Sequence, residues 1–150
     1  MLNTEWQCKN FSTLTALELY EILKLRNRVF VVEQQCVYAD TDEKDLVSGH
    51  LCGWHNNQLI AYARIIPPGV AFAEASIGRV VTAPEYRRTG LGKELMLRSI
   101  KAVKENHKVS TIKIGAQLYL EKFYGDLGFQ PCSEHYLEDG IPHIEMLLSV

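Results

Sequence analysis

The sequence predicts a mixed α/β domain, a central sheet with helices on its faces. Three observations predict it. Short runs rich in β-branched and aromatic residues alternate with amphipathic segments of helical period. Two tight-turn dipeptides, Asn56-Asn57 and Asp139-Gly140, each lie between adjacent strand-like runs. The length, 150 residues without linker, repeat or low-complexity tract, suits one domain over residues 1–150 that buries its own core.

The elements follow in order. Residues 4–9 read as a first strand. Thr15-Ala16-Leu17-Glu18 fits a capping box, and Leu19, Ile22, Leu23, Val29 and Phe30 continue at helical spacing, so residues 14–32 form a helical region with room for one break. Residues 40–45, Asp-Thr-Asp-Glu-Lys-Asp, lack hydrophobic periodicity and read as a loop. A hairpin closes at Asn56-Asn57, and its second strand, residues 59–66, ends at Pro67-Pro68-Gly69. Residues 75–82 form another strand. Residues 91–105 form a helix with Leu91, Leu95, Met96, Ile100 and Val103 on one face and mostly charged residues on the other. Residues 111–115 form a short strand, residues 118–127 a helix with Gly128 at its C-cap, and residues 129–136 and 143–148 two closing strands.

Composition excludes several classes. Sixteen basic against eighteen acidic residues give a net charge of −2, unsuited to sequence-independent nucleic-acid binding. No apolar run approaches the roughly 18 residues of a membrane-spanning helix. The first ten residues lack the basic start and apolar core of a secretion signal. Cys8, Cys36, Cys52 and Cys132 form no paired motif, so neither a metal site nor a disulfide framework is expected, and a reducing cytoplasm is.

The chemistry concentrates where a strand gives way to a helix: Val80-Val81-Thr82, then Arg87-Arg88-Thr89-Gly90-Leu91-Gly92. The first N–H groups of a helix have no internal partner, and the helix dipole adds partial positive charge. Two glycines let an anion approach the backbone, and two arginines add full charge beside it. The P-loop pattern fails, because position 87 is Arg and Glu94 stands where a magnesium-binding hydroxyl belongs. The dinucleotide pattern fails as well, because Leu95 occupies the third glycine position. What remains is R-x-x-G-x-G after a strand.

That run resembles the acyl-CoA-binding motif of the GNAT superfamily of N-acyltransferases. Residues 119–129, with Phe123-Tyr124-Gly125-Asp126-Leu127-Gly128-Phe129 at their core, resemble the C-terminal motif of the same superfamily. Residues 25–34, with Ile77-Gly78-Arg79-Val80-Val81 and Asp139-Gly140-Ile141-Pro142-His143, look like its ElaA-type subgroup. The resemblance implies a mixed, mostly antiparallel central sheet flanked by helices, the GNAT fold. It implies acetyl-CoA as co-substrate, no metal, and a small-molecule or peptide amine as acceptor. The coenzyme's pyrophosphate is expected on Arg87, Arg88, Thr89, Gly90, Leu91 and Gly92. Its pantetheine arm is expected along Val80, Val81 and Thr82, whose N–H groups polarise the thioester, with Gln117 nearby.

By the same resemblance the amine attacks the thioester directly, and Tyr124 is the general acid toward the departing thiolate. Ordinary pKa values make full proton transfer from tyrosine to a thiolate uphill by about 2 kcal/mol, so a hydrogen bond to sulfur is the alternative role. Deprotonating a lysine-like amine at pH 7 costs about 4.6 kcal/mol, which calls for a base or water relay. Some relatives carry a carboxylate in the strand before the last helix; here Thr111-Ile112-Lys113-Ile114 has none. Glu33 and His143 are the candidates, followed by His50 and Glu74. Glu33 could equally pair with Arg26 or Arg79, and residues 40–45 could draw a cationic amine or simply face solvent. Two other readings stand beside this one: a non-catalytic acyl-CoA-binding module, and an acyl-homoserine-lactone synthase, whose pattern the spacing of Arg26 and Val29-Phe30 resembles. A homodimer is the default for a small enzyme.

Overall fold

The computed structural model describes residues 2–150. Strand β1 (Glu5–Asn10) leads through a 3₁₀ turn into helix α1 (Ala16–Arg26). The capping box is present: Glu18 N–H donates to Thr15 Oγ1 at 3.1 Å, and Thr15 N–H donates to the Glu18 carboxylate at 2.8 Å. The bond from Thr15 N–H, with Lys9 and Gln7, holds that carboxyl down at about 2.

The helical region does break. Asn27–Glu33 widens into a π turn, in which Gln34 and Cys36 N–H donate five residues back to the Val29 and Val31 carbonyls, each at 3.1 Å. The run Val29-Phe30-Val31-Val32 gives a reason, since three β-branched residues crowd χ1 against the preceding turn of a regular helix. Residues 40–43 are loop as expected, but the run ends in a helical turn, α2 (Lys44–Val47), in which Asp45 is buried.

Strands β2 (Gly49–His55), β3 (Gln58–Ile66) and β4 (Ser76–Thr82) extend β1 into an antiparallel sheet in chain order. Asn56 and Asn57, at φ 49° and 63°, make the left-handed pair that joins β2 to β3. Helix α3 (Leu91–His107) buries Leu91, Leu95, Met96 and Val103 against β3 and β4.

A second sheet forms from β5 (Thr111–Gln117), β6 (Gln130–Pro131), β7 (Tyr136–Glu138) and β8 (Ile141–Ser149). β8 lies at its centre; β5 pairs along one edge, while β6 and β7 share the other. The helix expected over 118–127 is shorter: a 3₁₀ turn, then the single-turn helix α4 (Glu121–Gly125), with Gly128 at φ 102° turning the chain. The strand expected over 129–136 is split into β6 and β7. Pro131 lacks the N–H that would carry β6 further.

The sheet is therefore not continuous. The two halves meet at one parallel bridge, Ala75 to Ile112, with Lys113 N–H donating to the Ala75 carbonyl at 2.9 Å. Beyond it β4 and β5 share no ladder among the described residues, and a cleft opens between them. One contiguous core, including Ile60, Ile65, Leu95, Met96, Ile112 and Met146, runs beneath both sheets.

Candidate active site

The cleft between the strand ends encloses about 1240 Å³. One wall is β4. Between the pairs Tyr62–Val81 and Arg64–Gly78, two residues of β4, Arg79 and Val80, oppose the single Ala63 of β3. That is a β-bulge, and it places the Val80 backbone outside the regular ladder. Arg79 sits in the left-handed region at φ 51°, a strained position for a non-glycine residue.

The surrounding side chains hold it there. Arg79 pairs with the Asp40 carboxylate at 2.9 Å, donates to the Asp40 carbonyl at 2.9 Å, and lies 5.5 Å over the Tyr38 ring. Asp40 in turn pairs with Arg26 at 2.8 Å, and Arg26 pairs with Asp45 at 2.8 Å. Arg64 joins Asp42 at 2.7 Å and Asp45 at 2.9 Å. Arg26, Arg64 and Asp45 are 0%, 3% and 6% exposed. Burial alone pushes the Asp45 carboxyl up, but hydrogen bonds and charge from Arg26 and Arg64 overcome it and hold it at about 2.

This network corrects two expectations. Asp40, Asp42 and Asp45 neither face solvent nor wait for an amine, because three arginines neutralise them. Arg26 and Arg79 do not pair with Glu33. Arg26 is committed to Asp40 and Asp45.

The loop from Arg87 to Gly92 closes one end of the cleft. Arg88 at φ 62° and Gly90 at φ 85° turn the chain into α3, and no side chain among the described residues caps that helix. Among the described residues nothing lies within 4 Å of the position a Gly90 Cβ would take. Gly92 leaves space beside Phe123, whose Cζ is 3.8 Å from the ideal Cβ position. Arg87, Arg88, Gly90 and Gly92 line the cleft. Thr89 and Leu91 do not: the Thr89 hydroxyl donates to the Tyr86 carbonyl at 2.6 Å, and Leu91 belongs to the core. Their contribution is confined to backbone N–H. An uncapped helix start behind a left-handed glycine, flanked by arginines, fits a diphosphate.

Val80, Val81, Thr82, Gln117 and Tyr124 line the middle of the cleft. Gln117 and Gln34 exchange side-chain hydrogen bonds at 3.3 Å, tying the π turn to the end of β5. Tyr124 is buried between Phe123 and Phe129, edge-on to both. Burial, with a smaller effect from Tyr119, pushes its hydroxyl well above the usual tyrosine range. Complete proton donation is then harder than the ordinary value suggests, and the hydroxyl is left as a hydrogen-bond donor.

The candidate bases separate. Glu33 lines the cleft but grips Arg87 with both oxygens, at 2.5 and 3.1 Å. His50 is fully buried outside the cleft, between the Tyr62 hydroxyl at 2.7 Å and the Asp45 carbonyl at 2.9 Å, and burial lowers its pKa. Glu74 does not line the cleft. His143 does. Its Nδ1 lies 2.7 Å from the Ile141 carbonyl, which only accepts, so Nδ1 carries a hydrogen. Nε2 is 3.5 Å from Glu138. Sequence reasoning passed over Glu138, Tyr136, Phe72 and Glu145, which line the same end. The Asp139-Gly140 turn was their only local signal; the face they share depends on β7 folding back onto β8.

Known proteins resemble this chain throughout. Residues 23–150 match the family described as acetyltransferase (GNAT) domain. A UPF0039 protein of Schizosaccharomyces pombe is 45% identical over the whole of both chains. Protein ElaA of Escherichia coli is 40% identical over 97% of each, and its crystal structure superposes with a TM-score of 0.91 over 97% of this chain and 99% of that one. An acyl-CoA N-acyltransferase from Pseudomonas aeruginosa, 41% identical, superposes with a TM-score of 0.91 over the same shares.

Proposed function

The chain belongs to the GNAT acetyltransferase family, whose members carry out acyl transfer from acyl-CoA, and from that premise we propose that it is an acetyl-CoA-dependent N-acetyltransferase acting on a primary amine. The observation that carries this reading is the cleft itself, an opened strand pair with a β4 bulge that runs into the uncapped start of α3 behind Gly90.

In this reading the α3 N-terminal amides with Arg88 hold the coenzyme's diphosphate, and Arg87 joins them by exchanging Glu33 for phosphate. Backbone N–H groups along Val80, Val81 and Thr82 donate to the thioester oxygen as charge develops on it. His143 Nε2 takes a proton from the amine, whose deprotonation at pH 7 otherwise costs about 4.6 kcal/mol. The amine forms its bond to the acetyl carbon as the carbon–sulfur bond breaks, and the electron pair leaves on sulfur. Tyr124 donates a hydrogen bond to that sulfur. Thr89 and Leu91 serve through their amides, and Gln117 holds the π turn against β5.

Calorimetric titration with acetyl-CoA, run beside a thiol-release assay over a panel of amines, tests the proposal. Saturable binding with release from at least one amine is the expected result. Binding without release from any amine would leave an acyl-CoA-binding module, and no binding by folded protein would dismiss the coenzyme loop.

A further inference from the structure

In Ile77-Gly78-Arg79-Val80-Val81 the glycine and the left-handed residue do not coincide. Gly78 has no positive φ, whereas Arg79 takes φ 51°. Gly78 is small for another reason: a Cβ there would stand 3.2 Å from Ile66 Cδ1. Glycine enters the left-handed region freely and arginine does not, so the bulge carries strain that a glycine at position 79 would remove.

Charge balance does not account for an arginine there. Asp40 meets Arg26 at 2.8 Å, Asp42 meets Arg64 at 2.7 Å, and Asp45 meets both arginines. With Arg79 removed, each carboxylate keeps a guanidinium. Grip does account for it. Arg79 Nε lies 2.9 Å from Asp40 Oδ1, Nη2 donates to the Asp40 carbonyl at 2.9 Å, and Asp42 Oδ2 lies 3.5 Å from Nη2. The guanidinium lies 5.5 Å over the Tyr38 ring, whose hydroxyl donates to Asp40 Oδ1 at 3.1 Å. Asp40 is itself fixed by the fully buried Arg26, whose Nε donates to its carboxylate at 2.8 Å and whose Nη2 donates to its carbonyl at 2.9 Å. The Arg79 side chain is thus anchored to the core from above a strained backbone. That anchor bears on the next amide. The Val80 N–H belongs to the planar peptide joining Arg79 to Val80, so the backbone angles at Arg79 aim it. Both residues oppose the single Ala63, which leaves the direction of that peptide unset by the regular ladder. Val80 lines the cleft beside Val81 and Thr82.

Resting on the acetyl-transfer reading, we propose that Arg79 is a positioning residue: its clasp on Asp40 and Tyr38 holds the strained bulge so that the Val80 N–H is aimed at the thioester oxygen. It acts through the backbone, by fixing one peptide plane before the coenzyme arrives, which is what an oxyanion donor requires. A glycine at 79 would leave that plane free to turn.

The test reads the carbonyl stretch of bound acetyl-CoA, labelled with 13C at that carbon, by isotope-difference infrared spectroscopy in the wild type, Arg79→Gly and Arg79→Lys. A hydrogen bond to the oxygen lowers the stretch. Arg79→Gly relieves the strain and removes the clasp; the variant folds and binds acetyl-CoA with unchanged affinity, and its stretch rises. Its kcat, with an amine from the panel that releases thiol, falls about thirtyfold, short of the hundredfold or more that follows outright loss of an oxyanion donor. Arg79→Lys keeps the strain and one contact with Asp40, and recovers part of both effects. A stretch in Arg79→Gly equal to that of the wild type, or a lysine variant no better than glycine, overturns the positioning role while leaving acetyl transfer standing. A wild-type stretch as high as that of acetyl-CoA's thioester in an apolar solvent overturns the role together with polarisation by β4, and no binding by the folded wild type overturns the acetyl-transfer reading as well.

Discussion

Two polar regions border the same cleft, the first reaching it through Asp42, Arg64 and Arg79, and they treat charge in opposite ways. On the β3–β4 side, Arg26, Arg64 and Arg79 meet Asp40, Asp42 and Asp45, with every carboxylate answered by a guanidinium. On the β4–α3 side, the helix start has no side-chain cap, and Arg88 has no ion-pair partner among the described residues. The first region is closed and the second open. Charged residues in a cleft are thus not equivalent signs of function. Those that the protein has already satisfied are structural, and the groups left unanswered are where a ligand can bind. The closed region still serves the open one, because Arg79, through which the network ends, sits in the bulge of β4.

The contrast can be broken most forcefully at its buried end. Arg26→Ala leaves Asp40 with Arg79 alone and Asp45 with Arg64 alone in a buried network, and the expected cost is about 3–5 kcal/mol. Thermal unfolding should show a fall in Tm on the order of 10 °C. On the open side, Tyr124→Phe removes a single hydroxyl. Steady-state kinetics should show kcat falling about a hundredfold while acetyl-CoA affinity stays within error.

Acid sharpens the comparison. Asp45 titrates at about 2 in the fold against an ordinary 3.8, so its contribution is complete above pH 4 and lost as pH falls from 4 toward 2. The loss is on the order of 2 kcal/mol, read by denaturant melts across that range. The lowered Asp42 carboxyl acts in the same direction and over the same side of its ordinary value. Gly90→Asp sets a side chain and a negative charge where the diphosphate is expected, at a φ of 85°. Calorimetry should give a Kd for acetyl-CoA weaker by about tenfold, roughly 1.4 kcal/mol. The smallest effect belongs to Glu33→Gln. This breaks an exposed pair with Arg87, and stability should move by less than about 1 kcal/mol. A loss as large as that of Arg26→Ala would erase the distinction between the two regions.

What could be read in the sequence follows the range of the interactions. The Thr15–Glu18 capping box and the Asn56-Asn57 turn are settled within three residues, and both are where the pattern put them. The Gly90 turn is likewise local, a left-handed glycine followed by an amphipathic helix. The acidic run was misread because its partners are remote: Asp45 meets Arg26 and Arg64 each across 19 positions, and Arg79 reaches the Asp40 carbonyl across 39. The helix of 118–127 and the strand of 129–136 were drawn too long. Their apolar residues belong to irregular chain packed on the core, which composition does not distinguish from regular elements. His143 was named, but Glu138 and Tyr136 acquire meaning only once β7 lies against β8.

The seam at Ala75 and Ile112 bears on how the protein is made. Each sheet is built from antiparallel neighbours within its own half of the chain, residues 5–82 for one and 111–149 for the other. A chain emerging from its N-terminus can satisfy the ladder of the first sheet before residue 111 has been added. The bulged edge of β4 then waits, partly unpaired, for a partner that touches it at one bridge and turns away. On that order the cleft is the last feature to be assembled, when β8 arrives to fix β5 in place.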